Sequence, residues 1–466
     1  MALFGRRRAA PYLENSITEG VIWKNLLSFF FPILLGTFFQ QMYNTVDAII
    51  VGKFVGTEAL AAVGGTTGTI INLIVGFFVG MSSGATVILS QFYGGRRHQE
   101  VSDTVHTAIA LAVAGGLFIM ALGLALAPAM LRMLDTPEEL VGYSMSYIRI
   151  YFIGMVPSLI YNIGSGLLRA VGDSRRPLLF LIAACMTNIV LDVVFVVGFE
   201  MHVAGAALAT ILSQAVSATL IIITLMRSHT SYRLEIKKIR FHGQLLKRII
   251  TIGLPAGLQS MAYSVSNAIV QTSINGFGTS VMAAYTAYGK LDAFNWMLQN
   301  AFGVSITTFV GQNYGAGRLD RVRESAKKSL VFMALVTLAV SEALLLTARP
   351  LLRLLTDEPA VIDTTWYIIL LFVPFYVLWV PIEVLSGVLR GVGDVLIPSL
   401  ILAGGICGFR ILWLLTAFRL SPVLLTLCVC YPLSWLVTDG AIYLYFRRSR
   451  VLTRAARVID GDPIAP

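Results

Sequence analysis

The sequence is poor in charge. Only 13% of its 466 residues are Asp, Glu, Lys or Arg, against roughly 25% in ordinary soluble chains. A soluble globular enzyme and a disordered chain are both excluded by that figure. Histidine is also scarce, with five scattered residues. No Walker A, HExxH or nucleophile-elbow pattern occurs, so neither an enzyme nor a direct ATP-driven pump has sequence support. There are four cysteines, Cys185, Cys407, Cys428 and Cys430, all in apolar stretches. They read as small buried hydrophobes and give no disulfide framework. Arg6, Arg7 and Arg8 have no apolar core directly after them, so no cleavable signal peptide is expected.

Apolar residues are abundant. Hydrophobic side chains make up 56% of the chain and mean hydropathy is +0.78. One crossing of the hydrocarbon layer takes about 20 such residues. The runs predict an all-α integral membrane protein with twelve spans, near 26–52, 59–90, 102–127, 141–168, 178–199, 203–226, 249–275, 280–310, 325–347, 361–389, 396–418 and 424–446. Ile17, Val21, Ile22 and Trp23 precede the first span and suggest a short interfacial helix within residues 1–25. Pro32, Pro157, Pro255, Pro374 and Pro381 are expected to bend the spans that hold them.

Net charge is +10. In this map most of the Lys and Arg residues fall on one side, in the loops near Arg96, Arg175, Arg318 and Arg390, the segment 227–248 and the tail 447–466. Lys53, Arg132, Arg349, Arg353 and Arg419 fall on the other side. Such a bias predicts a multi-pass protein of the cell (inner) membrane with both termini cytoplasmic. The surplus charge is thereby explained by topology, and no nucleic-acid partner is expected.

The chain repeats itself. Gly166–Asp173 (GLLRAVGD) recurs as Gly387–Asp394 (GVLRGVGD), 221 residues later, and Pro177 recurs as Pro398 at the same spacing. SQFYGG around Gln91 recurs as GQNYGA around Gln312, and VGTEALAA near Gly56 resembles FGTSVMAA near Gly278. Six spans per half is an even number, so the halves point the same way, as a parallel repeat. The expected organisation is an N-lobe at 26–226, a linker at 227–248 and a C-lobe at 249–446. Gly-Asp followed by Pro fits a tight turn. Arg169 and Arg390 beside those turns are expected to cap the helix ends or to pair with Asp173 and Asp394.

Taken together, QQMYNTVD at 40–47, GTEALAAVG at 56–64, SQFYGG at 90–95, GLLRAVGD at 166–173 and their second-half counterparts resemble the bacterial multidrug and toxic compound extrusion (MATE) transporters. The resemblance spans roughly residues 15–450. It implies two six-helix lobes around a central cavity, alternating between inward and outward openings. It also implies export of organic, often cationic, compounds in exchange for protons or sodium ions.

Charged side chains within a bilayer are costly and usually face protein or water. Gln40, Asn44 and Asp47 are spaced to share a helix face. Asn188 and Asp192 lie one turn apart in the fifth span, and Thr210 lies in the sixth. Their oxygens suit a hard monovalent cation, and two nearby carboxylates also suit a shared proton. The resemblance places an N-lobe coupling site at Asp47, Asn188 and Asp192, with Asn162 and Thr210 beside them. This is the candidate sodium site; the alternative is a buried polar network that only holds helices together. The repeat mates of these acids are apolar, which places coupling in one lobe. Asn162 corresponds to Glu383, a candidate acid for a cationic substrate. Lys290 is expected to neutralise Glu383, or Asp292 to pair with Arg410. Tyr43, Tyr161, Tyr263, Tyr285, Trp296 and Tyr376 are candidates for an aromatic cavity wall. No cofactor is expected beyond the coupling ion, and the partners are small organic cations and the lipid bilayer, with the protein a monomer. The competing function is a lipid-linked oligosaccharide flippase, which requires a more cationic cavity.

Overall fold

The computed structural model describes residues 17–449 except Asp135. Among these residues there is no β-strand, and the helices run in twelve successive passages. The first passages are α1 (Ile22–Phe54), then α2 (Thr57–Gly64) with α3 (Thr66–Gly94), and α4 (His98–Met133). Next come α5 (Glu138–Ile153) with α6 (Met155–Ala170), α7 (Arg175–Asp192) with a π-helical turn at Val193–Gly198, and α8 (His202–Met226). The second half begins with α9 (Gly243–Asn275), α10 (Thr279–Gly315) and α11 (Leu319–Leu355). It continues with α12 (Pro359–Phe372), a 3₁₀ stretch at Val373–Leu378 and α13 (Trp379–Gly391). The eleventh passage is α14 (Leu396–Leu402), a π-helical turn at Ala403–Gly408, α15 (Phe409–Leu415) and the short α16 (Ala417–Leu420). The last is α17 (Leu424–Arg448).

Among the described residues nine passages are long and apolar enough to cross a membrane unaided, and α5 with α6 makes a tenth, bent by 52°. The bend follows from local chemistry: Pro157 has no N–H for the carbonyl of Ile153, so the helix breaks there. The other two passages, α9 and α10, have ample length, at 33 and 37 residues. They are less apolar because they carry Gln259, Asp292, Asn295 and Gln299 toward the protein interior.

The repeat is visible in the backbone. α6 and α13 end alike: the N–H of Gly172 bonds to the carbonyl of Arg169, and that of Gly393 to Arg390, each at 2.9 Å. Asp173 to Leu168 and Asp394 to Leu389 complete the two caps, also at 2.9 Å. Both glycines have left-handed φ, +99° and +89°, which a Cβ would strain.

The first expected helix boundary is corrected. Residues Ile17–Gly20 form turns and bends, and α1 begins at Ile22 with no separate interfacial helix among the described residues. The buried guanidinium of Arg321 on α11 holds this entry segment. It donates to Asn313 Oδ1 (2.9 Å) and to the carbonyls of Gly20 (2.9 Å), Ile17 (3.3 Å) and Glu19 (3.4 Å). Residues 1–16 and most of the expected tail, 450–466, lie outside the described residues. The connection between halves is shorter than the expected linker, because α9 starts at Gly243. That connection is pinned to α4: Glu235 N–H donates to His106 Nε2 (3.0 Å), and Thr107 and His242 bond side chain to side chain (3.0 Å). Within it, the hydrogen bond from Lys238 holds the Glu235 carboxyl below its ordinary range.

Each half has a hydrophobic core, but the cores exchange pieces. Ile22, Leu26, Phe29 and Phe30 of α1 pack into the core of the second half. Ile249, Ile252 and Ala256 of α9 pack into the core of the first. The two halves therefore interlock at the end of the bundle that carries the Arg-rich loops, called here the basic end.

Candidate functional site

Asp47, Asn188, Asp192 and Thr210 come together in the first half. α1 packs on α7 and α7 on α8, and the four side chains are buried, with Asp192 fully so and Asp47 8% exposed. The carboxylates of Asp47 and Asp192 lie within electrostatic reach of each other. Asp47 Oδ1, both oxygens of Asp192 and both polar atoms of the Asn188 amide are buried with no hydrogen-bond partner. A network that served only to join helices would be expected to bond these atoms to one another. Instead the cluster presents unbound oxygens, the donor set that a hard cation or a shared proton needs. Tyr43 and Tyr147 lie within electrostatic reach of Asp47, and Tyr147 lies near Thr210. The helix changes to π geometry directly after Asp192, a local widening common at functional positions. Gln40 and Asn44, on the same helix as Asp47, are exposed. Among the described residues no group of three His, Cys, Asp or Glu side chains could hold a metal ion.

A second cluster lies in the other half. Tyr376 Oη and Trp296 Nε1 (2.7 Å) both donate to Asp292, and the hydroxyls of Tyr288 and Tyr376 bond at 3.1 Å. Trp296 stacks edge-on against Trp379 (4.7 Å), which leads to Tyr263 (6.4 Å). Tyr285 bonds to Tyr431 at 3.0 Å. Neither of the alternative ion pairs, Lys290 with Glu383 or Asp292 with Arg410, is formed among the described residues. Arg410 lies over the Tyr431 ring at 3.9 Å and donates to Asn267 (3.3 Å) and Ser434 (3.4 Å) instead of meeting Asp292. Lys290 is exposed and joins no ion pair among the described residues. A tyrosine hydroxyl and a tryptophan N–H can satisfy a carboxylate without a cation, which is why Asp292 has no need of Arg410.

Between the halves lies a cavity of about 240 Å³, walled by α3, α6, α9, α10 and α13. Asn162, Tyr263 and Glu383 line it, and so do Arg169 and Arg390. The Glu383 carboxylate rests against α10 where Gly303 leaves room: a Cβ there would meet Glu383 Oε1. The expected pairing of the two arginines with the turn aspartates is corrected here. Asp173 bonds to Arg176 (3.3 Å), and Asp394 accepts from Tyr445 (2.7 Å). With those carboxylates taken, the two guanidinium groups turn inward. The sequence map counted them as loop residues, and only their repeated position hinted otherwise.

The comparisons agree with this architecture. The family model described as MatE matches residues 32–194 and 255–417, one match per half. The probable multidrug resistance protein YoeA of Bacillus subtilis is 24% identical over 94% of this chain and 96% of its own length. The probable multidrug resistance protein YpnP of the same organism is 29% identical over 81% and 84%. An outward-facing multidrug resistance MATE family transporter of the MOP superfamily superposes with a TM-score of 0.88, at 21% identity, over 96% of this chain and all of that one. With a family model covering both repeats, the chain belongs to the MatE family of multidrug and toxic compound extrusion transporters.

Proposed function

We propose that the protein is a secondary antiporter of the cell membrane that exports small organic compounds, chiefly cations, in exchange for protons or sodium ions. The carrying observation is the buried set Asp47, Asn188 and Asp192, whose oxygens lack internal partners. Either coupling ion would bind there. The aromatic cluster around Asp292 offers π faces and a negative charge to a cationic compound. Both termini and the basic end face the cytoplasm in this reading, and one copy of the chain suffices because each half supplies its own site. The halves meet along α3 and α9 at the basic end, which is the cytoplasmic side in this reading. The flippase reading gains from Arg169 and Arg390, but a cavity of about 240 Å³ is too small for an oligosaccharide headgroup.

The test is efflux from proteoliposomes under separately imposed proton and sodium gradients. Asp47→Asn and Asp192→Asn should each abolish gradient-driven export while the protein still inserts. Wild-type flux in both variants would refute the coupling role.

A further inference from the structure

The cavity between the halves straddles the axis that relates them. Its wall is built from repeat mates: Val79 with Asn300, Thr86 with Thr307, Asn162 with Glu383, and Arg169 with Arg390. Both arginines sit in the last turn of their helices, α6 and α13, so each lobe supplies one guanidinium group to the cavity wall. Neither makes an ion pair among the described residues. The Nε of Arg169 is buried with no hydrogen-bond partner. Glu383 is close enough to Arg390 for mutual attraction yet outside ion-pair distance, so the cavity keeps an excess of positive charge. Its wall also carries the hydroxyl and amide groups of Ser82, Ser83, Gln259 and Ser260, beside Val79, Ala256 and Val304. Two half-buried guanidinium groups, one of them with a buried unpartnered Nε, offer a compact anion a place between them, and their planar N–H arrays match a carboxylate or phosphate in bidentate geometry.

We propose that Arg169 and Arg390 form an oxyanion subsite on the axis between the lobes, which holds the carboxylate or phosphate group of a transported organic compound. The inference rests on the reading that small organic compounds pass between the lobes. The cavity is too small for a whole drug-sized molecule but fits its anionic end. Because one arginine comes from each lobe, separating the lobes splits the site. The anion is then held by two groups in one conformation and by one in the other, and the bound compound thereby favours the joined state. Compounds that carry an anionic group beside a cationic one are selected over purely cationic analogues.

Rhodamine 110, with a free carboxylate, and rhodamine 123, its methyl ester, isolate that group. Affinities are read by fluorescence polarisation on the full-length protein in phosphatidylcholine nanodiscs without any gradient. The wild type should prefer rhodamine 110 by about tenfold, roughly 1.4 kcal/mol. The ratio of affinities should fall to near unity in Arg169→Gln with Arg390→Gln, and stay above it in the charge-keeping Arg169→Lys with Arg390→Lys. Equal affinity of the two dyes for the wild type, or an unchanged ratio in the Gln variant, overturns the proposal. So does loss of the preference when phosphatidylglycerol is added, which assigns the arginines to a lipid phosphate. Gradient-driven efflux of rhodamine 123 tests the antiport reading separately. Its failure with the binding ratio intact would sink antiport and leave the subsite standing.

Discussion

Gln91 and Gln312 reach across to each other's half of the molecule. Gln91 Nε2 donates to the carbonyl of Gly391 at 2.9 Å, and Gln312 Nε2 donates to the carbonyl of Ala170 at 2.6 Å. The donors are repeat mates and so are the acceptors, which are the last residues of α13 and α6. Helix ends carry carbonyls without internal partners, and each half satisfies one for the other. Because both bonds join the lobes, they exist only while the basic end is closed.

Removing the pair should loosen that end. Gln91→Ala with Gln312→Ala deletes two interlobe bonds, each worth about 1 kcal/mol net. A cysteine placed at Ser83 on the cavity wall should then react faster with a thiol reagent supplied from the basic end. The four native cysteines are buried and give a low background. An unchanged labelling rate would show that the glutamines do not hold the closed state.

The coupling site predicts a stability effect opposite to that of a structural network. Asp192 is fully buried and neither oxygen has a partner, an arrangement that costs stability. Asp192→Asn should raise the melting temperature of the ion-free protein in detergent, with a gain of about 1 kcal/mol or more. Ion binding should stabilise the wild type by about 2.7 kcal/mol at a hundred times the dissociation constant. A rise with sodium chloride but not with choline chloride would identify sodium as that ion. A lower melting temperature for Asp192→Asn would instead mark the residue as a structural tie.

The entry segment should depend on Arg321. Its guanidinium serves Asn313 and three carbonyls between Ile17 and Gly20. Arg321→Ala removes every one of these bonds; the Ile17 and Glu19 carbonyls keep Asn313 and Asn25 as donors, so the cost is about 1–3 kcal/mol in total. Limited proteolysis should cut the variant before Trp23 much faster than the wild type. Equal resistance would mean the segment is held by the packing of Ile17 and Ile22 alone.

Much of the architecture was legible because its signals are local. Apolar runs fix the passages, and the Gly-Asp turns at 172–173 and 393–394 repeat in sequence as they do in backbone geometry. Asp47, Asn188 and Asp192 were legible as isolated polar groups on apolar helices. What stayed hidden depends on which neighbour satisfies a charge. Asp173 and Asp394 find Arg176 and Tyr445, so Arg169 and Arg390 turn inward; Asp292 finds Tyr376 and Trp296, so Arg410 settles on Tyr431. The exchange of the first turns of α1 and α9 between cores was hidden too, since either core accepts Ile, Leu and Phe equally well.

A close backbone approach between the lobes gives the strongest prediction. Gly76, Gly80 and Gly84 recur every four residues along one face of α3 and meet α9 at Ser260, Gly257 and Gly253. Such small-residue faces let helix backbones touch within a membrane. A Cβ on Gly80 would lie 2.5 Å from the backbone nitrogen of Gly257, and one on Gly253 would lie 2.5 Å from the carbonyl oxygen of Met81. Both neighbours are backbone, so no side-chain rotation can relieve the overlap, and the helices must part. Gly80→Ala should therefore drive the basic end open, even though alanine favours an isolated helix by about 1 kcal/mol over glycine. The control is Gly289→Ala on α10, where a Cβ meets nothing within 4 Å and the helix propensity acts alone. Spin labels on the basic-end loops, at Gln99 and Arg318, report lobe separation by pulsed electron resonance. Gly80→Ala should shift the distance distribution to longer values and lower the melting temperature, while Gly289→Ala should leave the distances alone and raise it slightly. A Gly80→Ala variant with wild-type distances would show that the seam between α3 and α9 is not what sets the closed state.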